Sequence, residues 1–150
     1  MGLNIVLIEP EIPNNTGNIG RLALATDATL HLVKPFGFEI TDKRLQRAGL
    51  DYWQHIKIEY YENKEAFFAK HEGQKMAFFS SQAIQSYWEI DFEEDHFVVF
   101  GKESVGLSKE ITDQFKNDLY KIPLKGENIR SLNLANAVAI VAYEAMRQGV

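Results

Sequence analysis

Residues 97–107 read Phe97-Val98-Val99-Phe100-Gly101-Lys102-Glu103-Ser104-Val105-Gly106-Leu107: four apolar residues run straight into a loop with two glycines and one carboxylate. A short apolar run closed by turn residues reads as a strand buried on both faces, the type found in parallel sheets. Ser108 then caps an expected helix to about Phe115. The stretch is therefore strand, loop, helix.

The same alternation recurs in both directions. Upstream, Leu3 to Ile8 reads as a buried strand, followed by a turn-rich Pro10 to Gly17 and a short helix to about Thr26. Thr29 to Val33 is a second strand, and Thr41 caps a short basic helix ending before Gly49. Ile56 to Tyr60 is a third strand, Asn63 caps a helix that Gly73 ends, and Met76 to Phe79 is a fourth. Downstream, Leu119 to Ile122 is another strand, and a loop leads to a long helix from about Asn133 to Gln148. Alternating strands and helices predict an α/β fold with a mainly parallel sheet and helices on both faces.

The 150 residues suit a single domain, 1–150, with 45% hydrophobic and 25% charged residues. With no cysteine, disulfides, thiolate catalysis and thiolate metal sites drop out. No signal sequence or membrane span is expected, since the apolar start stops at Glu9 and the longest apolar run is Ala137 to Tyr143. A reducing cytoplasm suits such a chain. The net charge of -5 argues against nucleic-acid binding by bulk charge, so any RNA contact must come from a local basic patch. The acidic run Glu93-Glu94-Asp95 reads as a solvated turn.

The last helix is apolar nearly all round, from Leu134 through Met146. Such a helix should be buried on all sides. Either one domain covers it completely or a second subunit does, and a homodimer is the expectation.

Several chemistries are absent. Gly101 and Gly106 have phosphate-loop spacing, but Leu107-Ser108 stands where Lys-Ser or Lys-Thr belongs. No G-x-G-x-x-G follows a strand and there is no G-x-S-x-G elbow. His31, His55, His71 and His96 show no metal-ligand spacing and read as structural or exposed, so no metal is expected.

Three segments remain, each at the C-terminal end of an expected strand, where parallel sheets place ligands. In the first, Glu9 to Arg21, Asn15 and Arg21 lie six apart, and Arg21 offers forked donors for phosphate or ribose oxygens. An N-cap followed by a surface arginine accounts for the same residues. In the second, Glu103 can accept from a hydroxyl or balance a cation, or the segment is an ordinary strand-to-helix loop. In the third, Ile122 to Ala137, Ser131 is a natural N-cap, and exposed backbone groups suit an adenine edge.

In this order the three segments resemble the motifs of the SpoU-type methyltransferases of the SPOUT superfamily: Asn-x5-Arg, then Phe-Gly-x-Glu-x-x-Gly-Leu, then Ile-Pro…Ser-Leu-Asn-Leu-x-Asn-Ala-Val. The resemblance covers nearly the whole chain. Its start and the stretch from Asp42 to Tyr52 are similar to the minimal TrmL-like subfamily, which methylates the wobble ribose of tRNA. The resemblance implies a deep C-terminal trefoil knot forming an S-adenosylmethionine pocket, and a homodimer with each site near the subunit boundary. It implies catalytic positions at Asn15, Arg21, Glu103, Ser131 and Asn133, and cofactor positions at Phe79, Gly101, Ile122, Ser131 and Leu132. Arg21, Lys43, Arg44, Arg47 and Arg130 are the candidate contacts to tRNA phosphates. Methylation of ribosomal RNA or another tRNA position, and a knotted ligand- or RNA-binding module without turnover, are the other readings. Three positions depart from the family pattern: Gly20, expected to loosen the first helix, Val105 and Ala135.

Overall fold

The computed structural model describes residues 2–39, 41 and 43–150, with side chains other than those of residues 46 and 48–51. Seven parallel strands form one sheet: β1 (Asn4–Ile8), β2 (Thr29–Val33), β3 (Ile58–Tyr61), β4 (Met76–Phe79), β5 (Gln85–Ser86), β6 (Phe97–Phe100) and β7 (Leu119–Lys121). Their order across the sheet is β3-β2-β1-β6-β4-β7-β5. The strand that opened the sequence reading, β6, lies between β1 and β4 and is buried at every position.

Strand alternation splits the core in two. Ile5, Leu7, Leu30, Leu32, Val98 and Phe100 face α1 (Pro13–Ala25) and α5 (Leu134–Arg147), meeting Ile19, Ala23, Val138 and Val141. Val6, Ile8, Val33, Phe78 and Val99 face the other way, toward Phe67 of α3 (Lys64–Lys70) and Ile111 of α4 (Lys109–Gln114). Both faces are covered, as a parallel sheet requires. No helix among the described residues is long and apolar enough to cross a membrane.

Local chemistry sets most boundaries. The side chains of Asn63 and Ser108 cap α3 and α4 by accepting from the N–H groups of Ala66 and Ile111. α1 differs from the expected turn-rich segment. It begins at Pro13, where a proline's missing N–H removes nothing a first helical residue needs. The cap expected at Thr41 for α2 (Lys43–Gly49) adjoins position 42, outside the described residues. A 3-10 turn, Leu50–His55, follows α2 and displaces the start of the third strand from Ile56 to Ile58. β5 was too short to show in the sequence.

Gly20 does not leave α1 loose. A Cβ there would lie 2.8 Å from Ile56 Cδ1 and 2.9 Å from Trp53 Cζ3, so those side chains fill the space a bulkier residue would take. Burial of α5 on all sides within one chain does not hold either. Val138, Val141, Ala142 and Ala145 are buried, whereas Ile140, Tyr143 and Met146 are exposed.

Candidate active site

The three segments meet at the C-terminal edge of the sheet. Glu9 follows β1 directly, and its φ of 55° is unusual for a residue with a side chain. Its carboxylate pairs with Lys102 at 3.3 Å, joining the first loop to the loop after β6.

Glu103 makes the central contact. Its Oε1 accepts from the Glu11 N–H at 2.8 Å, and its Oε2 from the Ile12 N–H at 3.0 Å and from Asn15 Nδ2 at 3.2 Å. Helix α1 has no acidic residue in its first turn and no side-chain cap of its own. Glu103 brings the negative charge that a helix start favours. The carboxylate thus accepts from three protein donors and holds the loop after β6 against the start of α1. In return, Ser104 N–H donates to Glu11 Oε1 at 2.8 Å and holds that carboxyl below the ordinary carboxylate range.

The linkage continues into the third segment. Asn15 is buried, and its Oδ1 accepts from Asn133 Nδ2 at 3.1 Å. Asn133 Oδ1 accepts from the Asn136 N–H at 3.2 Å and so caps α5. The cap is therefore Asn133, not Ser131, which is exposed two residues earlier. Glu103, Asn15 and Asn133 form one hydrogen-bonded line through all three segments.

Beside this line α1 and α5 enclose an open groove of about 580 Å³, lined by Asn15, Asn18, Arg21, Asn133, Asn136 and small apolar residues. Arg21 is exposed there, with its guanidinium carbon 5.0 Å from the centroid of the Tyr52 ring. That cation–π contact orients a forked donor facing solvent. Tyr52 lies 31 positions from Arg21, a separation at which the sequence carries no sign of the pairing.

The expected cofactor residues do not line this groove. Phe79, Gly101 and Ile122 instead end or follow β4, β6 and β7, which are neighbours in the sheet. Phe79 stacks on Phe100 with ring centroids 4.8 Å apart. The loop folds tightly over Gly101, where a Cβ would come within 2.1 Å of the Gly106 carbonyl carbon. Residues 123–132 form an irregular loop with neither strand nor helix. Aromatic and aliphatic walls beside irregular backbone fit a nucleoside-bearing ligand. Ser131 and Leu132 connect this edge to Asn133 and the groove. Lys43, Arg44 and Arg47 are exposed on α2, which packs on α1, and Arg130 is exposed in the third segment.

One cluster escaped the sequence reading. His31 and His71, which show no metal-ligand spacing in the sequence, converge with Glu59 and Tyr61 on the opposite face of the sheet. Burial pushes His31 down to about 4 and also lowers His71.

The sequence profile of the SpoU rRNA Methylase family matches residues 2–143. The chain is 46% identical over 146 residues to the tRNA (cytidine(34)-2'-O)-methyltransferase of Methylovorus glucosotrophus (strain SIP3-4), covering 97% of this chain and 94% of that one. A solved structure described as "Structural insights into the 2-OH methylation of C/U34 on tRNA" superposes with a TM-score of 0.93 at 43% identity, covering 97% and 95% of the two chains. An AdoMet-bound rRNA methyltransferase from Sinorhizobium meliloti superposes at 0.87 with 26% identity, over 99% of this chain and 57% of that one. With the fold, the three joined motifs and these relatives in agreement, the chain belongs to the SpoU methylase family.

Proposed function

We propose that this protein is a tRNA 2'-O-methyltransferase, transferring a methyl group from S-adenosylmethionine to the ribose 2'-hydroxyl of wobble nucleotide 34, cytidine or uridine. The observation that carries this reading is the line Glu103–Asn15–Asn133, which fixes three distant segments around one groove beside Arg21. Full-length relatives that act at nucleotide 34 support the choice of nucleotide.

Phe79, Gly101, Ile122, Ser131 and Leu132 are the residues that would hold the cofactor. Bound there, S-adenosylmethionine brings an electrophilic sulfonium methyl. The protein's task is then chiefly positioning, which contributes roughly 7–11 kcal/mol of barrier lowering in well-oriented reactions. Arg21 anchors phosphate and ribose oxygens through its fork. Guanidinium groups stay protonated in proteins, so the hydroxyl proton passes to a phosphate oxygen or to water. Asn15 and Asn133 fix the start of both helices that flank the reacting ribose.

The partner assignments follow the same logic. Lys43, Arg44, Arg47 and Arg130 contact tRNA phosphates with Arg21, which reconciles RNA binding with a net charge of -5. A second copy covers Ile140, Tyr143 and Met146 of α5, giving a homodimer with a cytoplasmic location. The cofactor edge lies in a trefoil-knotted C-terminal half, as in the family.

Labelled cofactor, tRNA and protein, followed by nuclease mapping, test the reading. A 2'-O-methyl group on nucleotide 34 is expected. Methylation confined to other positions or to ribosomal RNA would overturn it, as would tight RNA binding without any product.

A further inference from the structure

The sheet face opposite the groove holds a polar cluster that the proposed reaction does not use. His31 lies on β2, Glu59 and Tyr61 on β3, and His71 follows α3 as its C-cap. Tyr61 Oη is the hub, 2.8 Å from His31 Nδ1, 2.8 Å from His71 Nε2 and 3.2 Å from Glu59 Oε2. His31 Nδ1 and Glu59 Oε2 are themselves 3.4 Å apart.

Counting hydrogens shows a deficit. Asn4 Nδ2 donates to the Asp95 carbonyl at 3.1 Å, so its Oδ1 faces His31 Nε2 at 2.8 Å. That nitrogen therefore carries the ring hydrogen, and in the neutral ring Nδ1 presents a lone pair to the hub. Ionised Glu59 presents only lone pairs. The single Tyr61 hydroxyl hydrogen cannot serve both, so the 3.4 Å contact between His31 and Glu59 has no hydrogen in it.

The geometry points to a structural binding site for a divalent transition-metal ion of the zinc class, ligated by His31 Nδ1, His71 Nε2, Glu59 Oε2 and Tyr61 Oη. The histidine and glutamate ligand atoms all lie within 4.8 Å of one another. Tetrahedral zinc with bonds of about 2.0–2.1 Å spaces its ligands about 3.4 Å apart. The His31–Glu59 spacing already meets this, the Tyr61–Glu59 contact nearly does, and the two Tyr61–histidine contacts need to open by about half an ångström. Binding releases the Tyr61 hydroxyl proton to solvent. Imidazole nitrogens with oxygen ligands suit zinc, and Asn4 orients His31 as an outer-shell partner does. Lys70 Nζ, 3.7 Å from the other Glu59 oxygen and 5.6 Å from the Tyr61 ring centroid, is the competing cation on a largely exposed side chain. The ion would tie β2, β3 and α3 together, away from the methyl-transfer groove.

Full-length protein stripped with a chelator is titrated with Zn2+ alone, then with Co2+. One equivalent should bind with a dissociation constant in the micromolar range or tighter, raise Tm, and give the intense visible absorption of four-coordinate cobalt. Glu59→Gln and His71→Gln, both at solvent-accessible positions, should each weaken binding at least tenfold and abolish the Tm rise. His55→Gln, at an exposed histidine elsewhere, should change neither. Methyl transfer should be the same with and without the ion. No stoichiometric uptake, a pale six-coordinate cobalt spectrum, or uptake within twofold of normal in both cluster variants would overturn the site. The wild-type cobalt spectrum decides the matter even if a variant fails to fold.

Discussion

Asn133 Nδ2 donates to Asn15 Oδ1 at 3.1 Å across a separation of 118 positions, tying the start of the last helix to the start of the first. The same Asn133 caps α5 through its oxygen. Its two roles are separable. Asn133→Ser keeps a cap oxygen but is too short to reach Asn15. Serine caps nearly as well as asparagine, so the expected loss of about 1 kcal/mol or more is that of the bond to Asn15, whose buried Oδ1 is left unpaired. Methyl transfer should fall by about tenfold or more, since a loosened helix start misplaces the site. Urea unfolding and single-turnover rates, measured side by side, check both halves.

Glu103→Gln should act mainly on stability. The carboxylate serves two backbone N–H groups and Asn15, and glutamine turns an NH2 toward groups that are themselves donors. Losing hydrogen bonds to a charged acceptor typically costs about 1.5–3 kcal/mol. A shift of the urea midpoint corresponding to less than a third of that would show that Glu103 does not hold α1.

Arg21→Lys keeps the charge and loses the fork. Because Arg21 is exposed, stability should change by less than about 0.5 kcal/mol. Turnover should drop about 100-fold, the scale of a misplaced reactant. Steady-state kinetics with near-normal kcat in this variant would remove Arg21 from its role.

Acid should weaken the fold through His96. Burial first, then Lys75, holds its imidazole below the usual value, against smaller opposing effects of Glu93 and Asp118. An unfolded histidine takes up a proton near pH 6.5. Below that pH the unfolded chain binds a proton that the folded chain does not, so stability is complete above about pH 6.5 and declines as pH falls toward the lower folded value. His31 and His71 add slope of the same sign. Urea midpoints at several pH values from neutral to mildly acidic should fall with acid, less steeply in His96→Gln; a flat profile would contradict the assignment.

Much of this architecture was legible in the chain. The strands Thr29–Val33, Met76–Phe79 and Phe97–Phe100 stand where their apolar runs do, since both of their faces are buried and nothing else competes. Caps at Asn63 and Ser108 were equally local. The start of α1 was not, because Glu103, which accepts from the Glu11 and Ile12 N–H groups just before the helix, lies 90 positions downstream of Pro13. Ser131 had the right chemistry for a cap, yet Asn133 won because it can also reach Asn15. The order of the motifs is written in the sequence, whereas the separation of Phe79, Gly101 and Ile122 from the groove depends on β6, β4 and β7 being neighbours in the sheet. The His31–Tyr61–His71 cluster had no sequence signature, since three elements contribute to it.

The central claim is that one ribose oxygen, at nucleotide 34, is the methyl acceptor presented to the groove beside Arg21. Two otherwise identical tRNA substrates, one with ribose and one with 2'-deoxyribose at nucleotide 34, measure this directly in single-turnover methyl transfer. The account predicts one methyl per tRNA for the first and none for the second. Equal labelling of the two would contradict it.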